Sequence, residues 1–239
     1  MRTPQVVSRL AKSLGYEKFV MTNSPDKRGI DVALLWNPSK DLIFKTFLEH
    51  ELKGDYFKKK PSRNILEVEF QVANSESLYV FVNHWPSLGN PDNTRVQAAT
   101  LLKSRIEKLQ KANSKAGFIA MGDFNTIPKL KKKSKIHPFR DIFLKDSIMV
   151  DLRESYLLSE SIPKSLKMKQ PPGTYYYKRG KVWNQLDRVF VSKNLLSGNN
   201  LKIDLTLLKF MLHHSQENLR QRGIRDNWLL IVSIIRQKQ

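Results

Sequence analysis

The chain has 239 residues, of which 40% are hydrophobic and 10% aromatic. These values are ordinary for a globular protein and exclude intrinsic disorder, which combines low hydrophobicity with high net charge. Because no internal repeat or long Pro/Gly/Ser linker divides the chain, we expect a single domain over residues 1–239. Cysteine is absent, which excludes disulfides, thiolate catalysis and cysteine-bound zinc.

The charge of the chain is strongly unbalanced. There are 42 Lys and Arg residues against 22 Asp and Glu, which gives a net charge of +20. Such a charge attracts polyanions through counterion release and long-range steering, so nucleic acid is the first partner to consider. The alternative is that the basic residues serve only solubility.

No segment predicts export or insertion into a membrane. Residues 1–15 lack the apolar core of a signal peptide, and the longest apolar stretch near the end, residues 228–235, is too short to span a bilayer. The default expectation is a cytoplasmic monomer without a membrane span, while the sequence itself leaves the localisation open.

The first half of the chain predicts one helix followed by strands. Thr3 and Pro4 are typical of a helix start, and an apolar face continues from Val6 to Leu14 before Gly15 ends the helix. Three β-rich runs follow, separated by turn-forming or charged segments. They are IDVALLW (30–36), ILEVEFQV (65–72) and LYVFVN (78–83).

The second half predicts a long helix and further strands. Apolar residues recur at helical spacing from Asp92 to Leu109, and a buried strand, FIAM (118–121), follows Gly117. The further predicted strands are TYYY (174–177), QLDRVFVS (185–192), LKIDLTLL (201–208) and WLLIVSII (228–235). This order favours an α/β sandwich of two packed sheets with flanking helices.

Two lysine-rich runs lie between these elements. The first, Lys58 to Lys60, is typical of a solvated surface. The second directly follows the segment GDFN (122–125) and is better placed to bind a phosphate backbone. Its members are Lys129, Lys131, Lys132, Lys133 and Lys135.

The segment GDFN follows a buried apolar strand, so Asp123 and Asn125 emerge at the carboxyl end of that strand. A phosphodiesterase needs one group that positions and deprotonates water and another that stabilises charge on the phosphoryl oxygens. Asp and Asn supply these functions. An Asx-turn gives the same two residues a purely structural alternative.

The segment NHWPS (83–87) also follows an apolar strand. An imidazole at a strand end, as in His84, donates a proton or a hydrogen bond to a phosphate oxygen near neutral pH. Taken alone, a histidine beside Trp85 is more often a structural residue.

Asp187 lies inside the apolar strand QLDRVFVS and needs a partner if it is buried. One use for such a carboxylate is to orient an imidazole. The alternative is a structural ion pair with a nearby base such as Arg188.

The chain resembles the endonuclease/exonuclease/phosphatase superfamily in the order of its motifs, from about Arg28 to Ser192. The motifs are RGIDVALLW, SRNILEVEF, NHWPS, MGDFN and QLDRVFVS, with a helix between the third and the fourth. The resemblance implies a four-layered α/β sandwich with two packed mixed sheets. It also implies metal-assisted hydrolysis of a phosphodiester or phosphomonoester, with Mg²⁺ as the cofactor and Mn²⁺ as an alternative.

Carried onto this sequence, the resemblance implies that His84 contacts the phosphate as an acid or electrostatic stabiliser, and that Asp123 activates water. Asn125 is then the companion of Asp123 at the metal or phosphate, and Asp187 orients a second catalytic histidine. Arg63 is a further candidate for a phosphate contact, because an arginine fork suits phosphate, although it also suits ordinary strand-surface pairs.

The sequence departs from the superfamily before the first helix. The superfamily normally has two strands there, one carrying an Asn and one ending in the metal-binding Glu, and this chain lacks both. Neither Glu17 nor Glu49 takes that role by position. Mg²⁺ would thus need another hard oxygen ligand to complete its shell.

The sequence also lacks the closing Ser-Asp-His-x-Pro signature. Asp226 is the nearest match to its metal-binding Asp, which places Asn227 where the histidine would be. An Asn forms hydrogen bonds but does not carry a proton near neutral pH. His213 and His214 precede the last predicted strand by too many residues to replace it.

The leading hypothesis is a Mg²⁺-dependent, endonuclease-like hydrolase that prefers DNA to RNA. Its activity would be impaired, because loss of an acid–base group costs on the order of 10²–10⁴ in rate. One alternative is a catalytically degenerate nucleic-acid-binding protein. Another is a phosphatase acting on phosphoinositides or small phosphoesters, since one fold serves many reactions.

Overall fold

The computed structural model describes residues 4–72, 76–129, 134–197 and Ile203. The strands are β1 (Lys18–Met21), β2 (Ala33–Trp36), β3 (Leu42–His50), β4 (Ile65–Val72), β5 (Glu76–His84), β6 (Gly117–Asp123), β7 (Met149–Asp151), β8 (Tyr175–Tyr177), β9 (Val182–Asn184) and β10 (Asp187–Ser192). The helices are α1 (Pro4–Ser13), α2 (Asp55–Lys59), α3 (Asp92–Ala112), α4 (Leu152–Leu158), α5 (Lys164–Met168) and α6 (Asn194–Ser197), with a π-helical turn at Pro138–Phe143 and a 3-10 turn at Lys178–Gly180. None of the helices in these described ranges is long and apolar enough to cross a membrane.

Six of the strands form a mixed sheet in the order β3-β4-β5-β6-β10-β7. Strands β5 and β6 are parallel, and α3 is the crossover that returns the chain between them. The other neighbours in this sheet are antiparallel. Strands β1 and β2 form a second, antiparallel sheet, and β8 and β9 form a separate hairpin.

The central strands of the large sheet are buried on both faces. Phe118 and Ala120 of β6 belong to the core that includes α3, while Ile119 and Met121 belong to the core on the opposite face. The second sheet packs on that opposite face through Leu34. The structure therefore confirms an α/β fold in which a mixed sheet packs against another sheet and carries flanking helices.

Most of the predicted elements are confirmed. The apolar runs at residues 30–36, 65–72, 78–83, 118–121 and 185–192 contain the strands β2, β4, β5, β6 and β10, and the helices predicted after Thr3 and from Asp92 are α1 and α3. The tyrosine run contains β8. The predicted strands at 201–208 and 228–235 lie outside the described residues, apart from the buried Ile203.

The nine-residue strand β3 is a correction to the sequence interpretation, which contains no strand there. It lies at the edge of the sheet, where Ile43, Phe44, Phe47 and Leu48 are all exposed. A register shift between Phe44 and Thr46 further breaks its alternation. Periodicity predicts a strand only where one face is consistently buried.

Gly122 lets the end of β6 pass close to β5. Its φ is 129°, in the region that favours glycine, and a Cβ atom placed on it would lie 2.0 Å from the carbonyl oxygen of Asn83. Asn83 is its register partner in the parallel pair. A side chain at residue 122 would therefore force the two strand ends apart.

We expect Gly122→Ala to lower the free energy of unfolding by about 2–4 kcal/mol, because rigid backbone blocks the added methyl group. Urea unfolding near neutral pH measures this change. The matched control is Gly89→Ala, since the nearest heavy atom to its added Cβ is Ser87 Oγ at 3.7 Å. Equal losses in the two variants would contradict the close approach of β5 and β6.

Candidate active site

Three of the predicted site residues lie in a row across adjacent strands. His84 at the end of β5 is the register partner of Asp123 at the end of β6, and Asp123 is the register partner of Asp187 at the start of β10. Neighbouring strands lie about 4.8 Å apart, so the three residues occupy consecutive positions in the hydrogen-bonding direction. The sheet thus brings together residues from three distant parts of the sequence.

His84 is separated from the tryptophan that follows it. The Trp85 ring is buried 4.8 Å from the Phe124 ring, centroid to centroid, whereas 23% of the His84 side chain is exposed. Nε2 of His84 lies 3.7 Å from Oδ2 of Asp123, which is too long for a hydrogen bond. This geometry indicates that His84 faces the site and is not a structural residue packed against Trp85.

Asn125 holds Asp123 in place. Its φ is 46°, its backbone N–H donates to Oδ1 of Asp123 at 2.8 Å, and its Nδ2 donates to the carbonyl oxygen of Trp85 at 3.1 Å. The first bond is an Asx-turn, so the structural alternative for this motif is present in the molecule. The turn also shapes the site: it holds Oδ1 of Asp123, so Oδ2 is the oxygen that lies nearest to the His84 ring.

Asp187 is buried without an ion pair to Arg188. Nη1 of Arg188 instead donates to Oδ2 of Asp151 at 2.5 Å, because successive strand residues point to opposite faces. Asp187 is 8% exposed, and its Oδ2 has no hydrogen-bond partner among the described residues. The hydroxyl of Thr174 accepts the Asp187 backbone N–H at 3.0 Å. A buried carboxylate oxygen of this kind is suited to a cation or to a further donor.

Arg63, predicted as a candidate phosphate contact, has a buried side chain in the structure. The side chain is only 3% exposed, and its Nε and Nη2 donate to the carbonyl oxygens of His84 at 3.0 Å and Trp85 at 2.6 Å. Its Nη1 donates to Oδ2 of Asp26 at 3.3 Å. Because the guanidinium is buried and these donors are used, Arg63 positions the backbone of His84 and does not face solvent.

Asp26, which no sequence motif marks, links Arg63 to Arg28. Nε and Nη2 of Arg28 donate to Asp26 at 3.1 and 2.8 Å, and 61% of the Arg28 side chain is exposed. Burial raises the pKa of Asp26, but the hydrogen bonds and charge of Arg28, with the hydrogen bond of Arg63, outweigh burial and hold it at about 2. Asp26 therefore stays ionised and keeps both arginines in place.

Burial shifts the pKa values of all three residues in the row. It raises the pKa of Asp123 to about 6 and the pKa of Asp187 to about 7, the latter with a further contribution from the charge of Asp123. Burial also lowers the pKa of His84 to about 3, and the positive charges of Arg63 and Arg28 lower it further. Asp123 is already protonated where His84 titrates, so its carboxyl group does not stabilise an imidazolium.

At neutral pH the row therefore combines a neutral imidazole with ionised carboxylate. The neutral His84 ring has one N–H to donate but carries no positive charge, which favours hydrogen bonding to a phosphoryl oxygen over proton donation. Asp123 is mostly ionised above pH 6 and remains basic enough to accept a proton from water. Together these groups suit hydrolysis of a phosphoester.

The side chains of the row supply some, but not all, of the oxygen ligands that a divalent cation needs. Asp123 and Asp187 supply hard carboxylate oxygens at neighbouring positions. A cation would offset the burial and the repulsion from Asp123 that together raise the pKa of Asp187. Within the described residues, however, no group of three or more His, Asp or Glu side chains is arranged to hold a metal. Asp226, the nearest match in the sequence to the metal-binding Asp of the closing signature, lies outside the described residues.

Two of the remaining candidates, Lys129 and Glu49, are among the described residues. Lys129 is exposed on the loop after Asn125. Glu49 is on β3, where its carboxylate accepts hydrogen bonds from the backbone N–H of Asn23 and from Nδ2 of Asn64. The candidates outside the described residues are Lys131, Lys132, Lys133, His213, His214 and Asn227.

The raised pKa of Asp187 makes the stability of the protein depend on pH, in a direction that unfolding measurements detect. Because this carboxyl group binds a proton more tightly in the folded than in the unfolded chain, its contribution to stability falls as pH rises from about 4 to 7. We expect Asp187→Asn to raise the free energy of unfolding of metal-free protein at pH above 7, by about 4 kcal/mol. The difference should vanish near pH 4.

Urea unfolding in EDTA, at several pH values across this interval, measures the effect. Asp55→Asn is the matched control, because the side chain of Asp55 is 94% exposed. If Asp187→Asn and wild type showed the same dependence on pH, Asp187 would not have a raised pKa.

The family comparison matches most of the chain. A model described as the endonuclease/exonuclease/phosphatase family matches residues 5–223. No curated protein shows a significant match.

Solved structures share the fold at low sequence identity. The human Nocturnin catalytic domain with bound sulfate matches with a TM-score of 0.59 and 15% identity, over 84% of this chain and 67% of that chain. TDP2 of D. rerio, complexed with a single-strand DNA product, gives 0.53 and 15%, over 84% and 71%. An endonuclease/exonuclease/phosphatase family protein from Bacteroides thetaiotaomicron gives 0.55 and 14%, over 84% and 72%.

These matches agree with the mixed sheet, the second sheet and the flanking helices described above. The chain belongs to the endonuclease/exonuclease/phosphatase family, a family of phosphodiesterases and phosphatases.

Proposed function

We propose that this protein is a Mg²⁺-dependent phosphodiester hydrolase that acts on DNA in the manner of an endonuclease. The main support is the row of His84, Asp123 and Asp187, in which burial raises two carboxyl pKa values and keeps the imidazole neutral. Such perturbed groups at a strand end are typical of catalytic sites.

In the proposed reaction Asp123 and His84 act directly on the reactants. Asp123 accepts a proton from the attacking water through Oδ2, because Oδ1 is held by the Asn125 N–H. As the water oxygen bonds to phosphorus, the P–O ester bond breaks, and the departing oxygen takes up a proton from solvent. His84 donates its ring N–H to a phosphoryl oxygen and stabilises the charge that develops there. Arg63 acts as a positioning residue, since it holds the carbonyl oxygen of His84.

Asp187 and Asn125 are the residues we assign to the metal. Oδ2 of Asp187 has no hydrogen-bond partner among the described residues, and the Asn125 amide bonds through Nδ2, which leaves its oxygen as a ligand atom. A bound Mg²⁺ supplies Lewis-acid stabilisation of the phosphoryl oxygens. The described donors form an incomplete shell, for which Asp226 remains the proposed further ligand.

The net charge of the chain and its structural similarity to a DNA-bound protein favour DNA as the substrate. The net charge of +20 and the lysine run after GDFN attract a phosphate backbone. A similar structure, TDP2 of D. rerio, was solved with a single-strand DNA product. RNA has the same phosphate chemistry, so a matched RNA substrate is part of the test.

Nicking of supercoiled plasmid in the presence of Mg²⁺ tests the catalytic claim. We expect cleavage that EDTA abolishes and that falls on the order of 10²–10⁴ in Asp123→Ala, because water loses its proton acceptor. Asp55→Ala should cleave like wild type, since the side chain of Asp55 is 94% exposed on α2, where it pairs with Lys58. Nicking no greater than that of an Asp123→Ala/His84→Ala double variant would rule out catalysis.

A second candidate is a catalytically degenerate nucleic-acid-binding protein. It is favoured by the absence, among the described residues, of a group of three or more metal-binding side chains. DNA binding that weakens with salt and survives Asp123→Ala, without turnover, would support it. Hydrolysis of a phosphoinositide or a small phosphomonoester in preference to DNA would instead support a phosphatase.

A further inference from the structure

The hairpin of β8 and β9, residues 175–184, projects from the protein. Tyr176 pairs with Trp183 across the two short strands, and every residue from Tyr176 to Val182 is exposed. None of these residues belongs to either hydrophobic core. An isolated two-stranded hairpin is marginally stable in water, so exposed aromatic residues on such an arm indicate a surface that binds a partner.

The tip of the hairpin is basic. Lys178, Arg179 and Lys181 are exposed there, and the segment from 175 to 184 contains no Asp or Glu. Lys181 has a φ of 50°, a left-handed conformation in the tight turn between β8 and β9, so the three cationic residues lie within one short turn of the chain. The tip therefore favours an anionic partner.

The aromatic rings beside this tip are held in defined positions. The Tyr176 ring packs 5.2 Å from the Trp183 ring, centroid to centroid. The Tyr177 ring lies against Gly180, where an added Cβ would approach it to 2.7 Å. Tyr176 is nevertheless 38% exposed and Tyr177 42% exposed, so both retain surface for stacking.

The base of the hairpin is tied to the strand that carries Asp187. The backbone N–H of Thr174 donates to the carbonyl oxygen of Asn184 at 2.9 Å, and its hydroxyl accepts the N–H groups of Leu186 and Asp187, both at 3.0 Å. Three residues of extended chain span at most about 10 Å, so Asn184 lies within that distance of Asp187. A polymer bound along the hairpin therefore passes beside the row.

We propose that the hairpin binds an unpaired nucleic-acid strand that passes over its basic tip, with phosphates beside Lys178, Arg179 and Lys181. One base stacks on Tyr176 and another on Tyr177 on the opposite face of the hairpin, because successive strand residues point to opposite faces. The assignment rests on the proposed function, since it places the scissile phosphate near Asp187. An unpaired strand fits better than a duplex, because only unstacked bases expose a face to an aromatic ring. The short hairpin also lacks the wide apolar face with which a membrane-surface element is buried.

Fluorescence anisotropy of a labelled single-stranded DNA of about 12 nucleotides, in EDTA, tests the stacking. We expect Tyr176→Ala/Tyr177→Ala to weaken binding at least about fivefold, whereas Tyr176→Phe/Tyr177→Phe binds like wild type because phenylalanine keeps the ring. The affinities of the two variants for a duplex of the same sequence should differ less than their affinities for the single strand. The thermal unfolding midpoint should not change, because the hairpin lies outside both cores.

Salt dependence tests the basic tip. Lys178→Gln/Arg179→Gln/Lys181→Asn should lower the slope of log affinity against log salt by about 0.7 for each lost charge. The matched control is Lys108→Gln/Lys111→Gln/Lys115→Gln, which removes the same charge from exposed residues at the far end of α3 and the loop before β6. The control should change the slope less.

Three results would overturn the proposal. They are unchanged single-strand binding in Tyr176→Ala/Tyr177→Ala, an equal loss in the lysine control, and hairpin-dependent binding of phosphatidylserine vesicles without an effect on DNA. Hydrolysis of bis(4-nitrophenyl) phosphate, which is too small to reach the hairpin, reports separately on the row. If wild type did not hydrolyse it with Mg²⁺, the proposed function would fail. The anisotropy measurements would still show whether the hairpin binds a single strand.

Discussion

The parallel pairing of β5 with β6 is the constraint on which the site depends. Parallel neighbours need a crossover, and α3 supplies it while covering one face of both strands. The resulting register sets His84 against Asp123, and the antiparallel addition of β10 places Asp187 on the other side. A slip of one residue would turn a side chain of the row to the opposite face of the sheet. Packing along the whole strands therefore determines the geometry of the chemistry at their ends.

Burial at this edge of the sheet acts differently on partnered and unpartnered charges. Asp26 is buried between Arg28 and Arg63, and its pKa stays low because both arginines donate to it. Asp123 and Asp187 are buried side by side, and their pKa values rise. The ionised pair therefore lowers the stability of the folded chain at neutral pH, as is common where a site is built for a reaction and not for stability. The partnered arginines keep the backbone of the site in place despite this cost.

The parts of the molecule that could be predicted from sequence are those that buried periodicity determines. The runs around Phe118 and Val68 are apolar because both faces of their strands are covered, whereas β3 escapes prediction because its apolar residues are exposed at an edge. The positions of His84 and Asp123 at strand ends could be predicted because each directly follows such a run. The hydrogen-bond partners of Arg63 could not be predicted, since they come from distant segments that only the fold brings together.

The central claim is that the row of His84, Asp123 and Asp187 is one phosphoester site, and a crystal structure with Mn²⁺ and inorganic phosphate tests it most directly. The anomalous signal of Mn²⁺ locates the metal independently of the protein coordinates. The expected result is a metal peak at the carboxylate of Asp187, beside Asp123, with a phosphate oxygen at hydrogen-bond distance from the His84 ring. Metal and phosphate bound elsewhere, with the row contacting neither, would contradict the account.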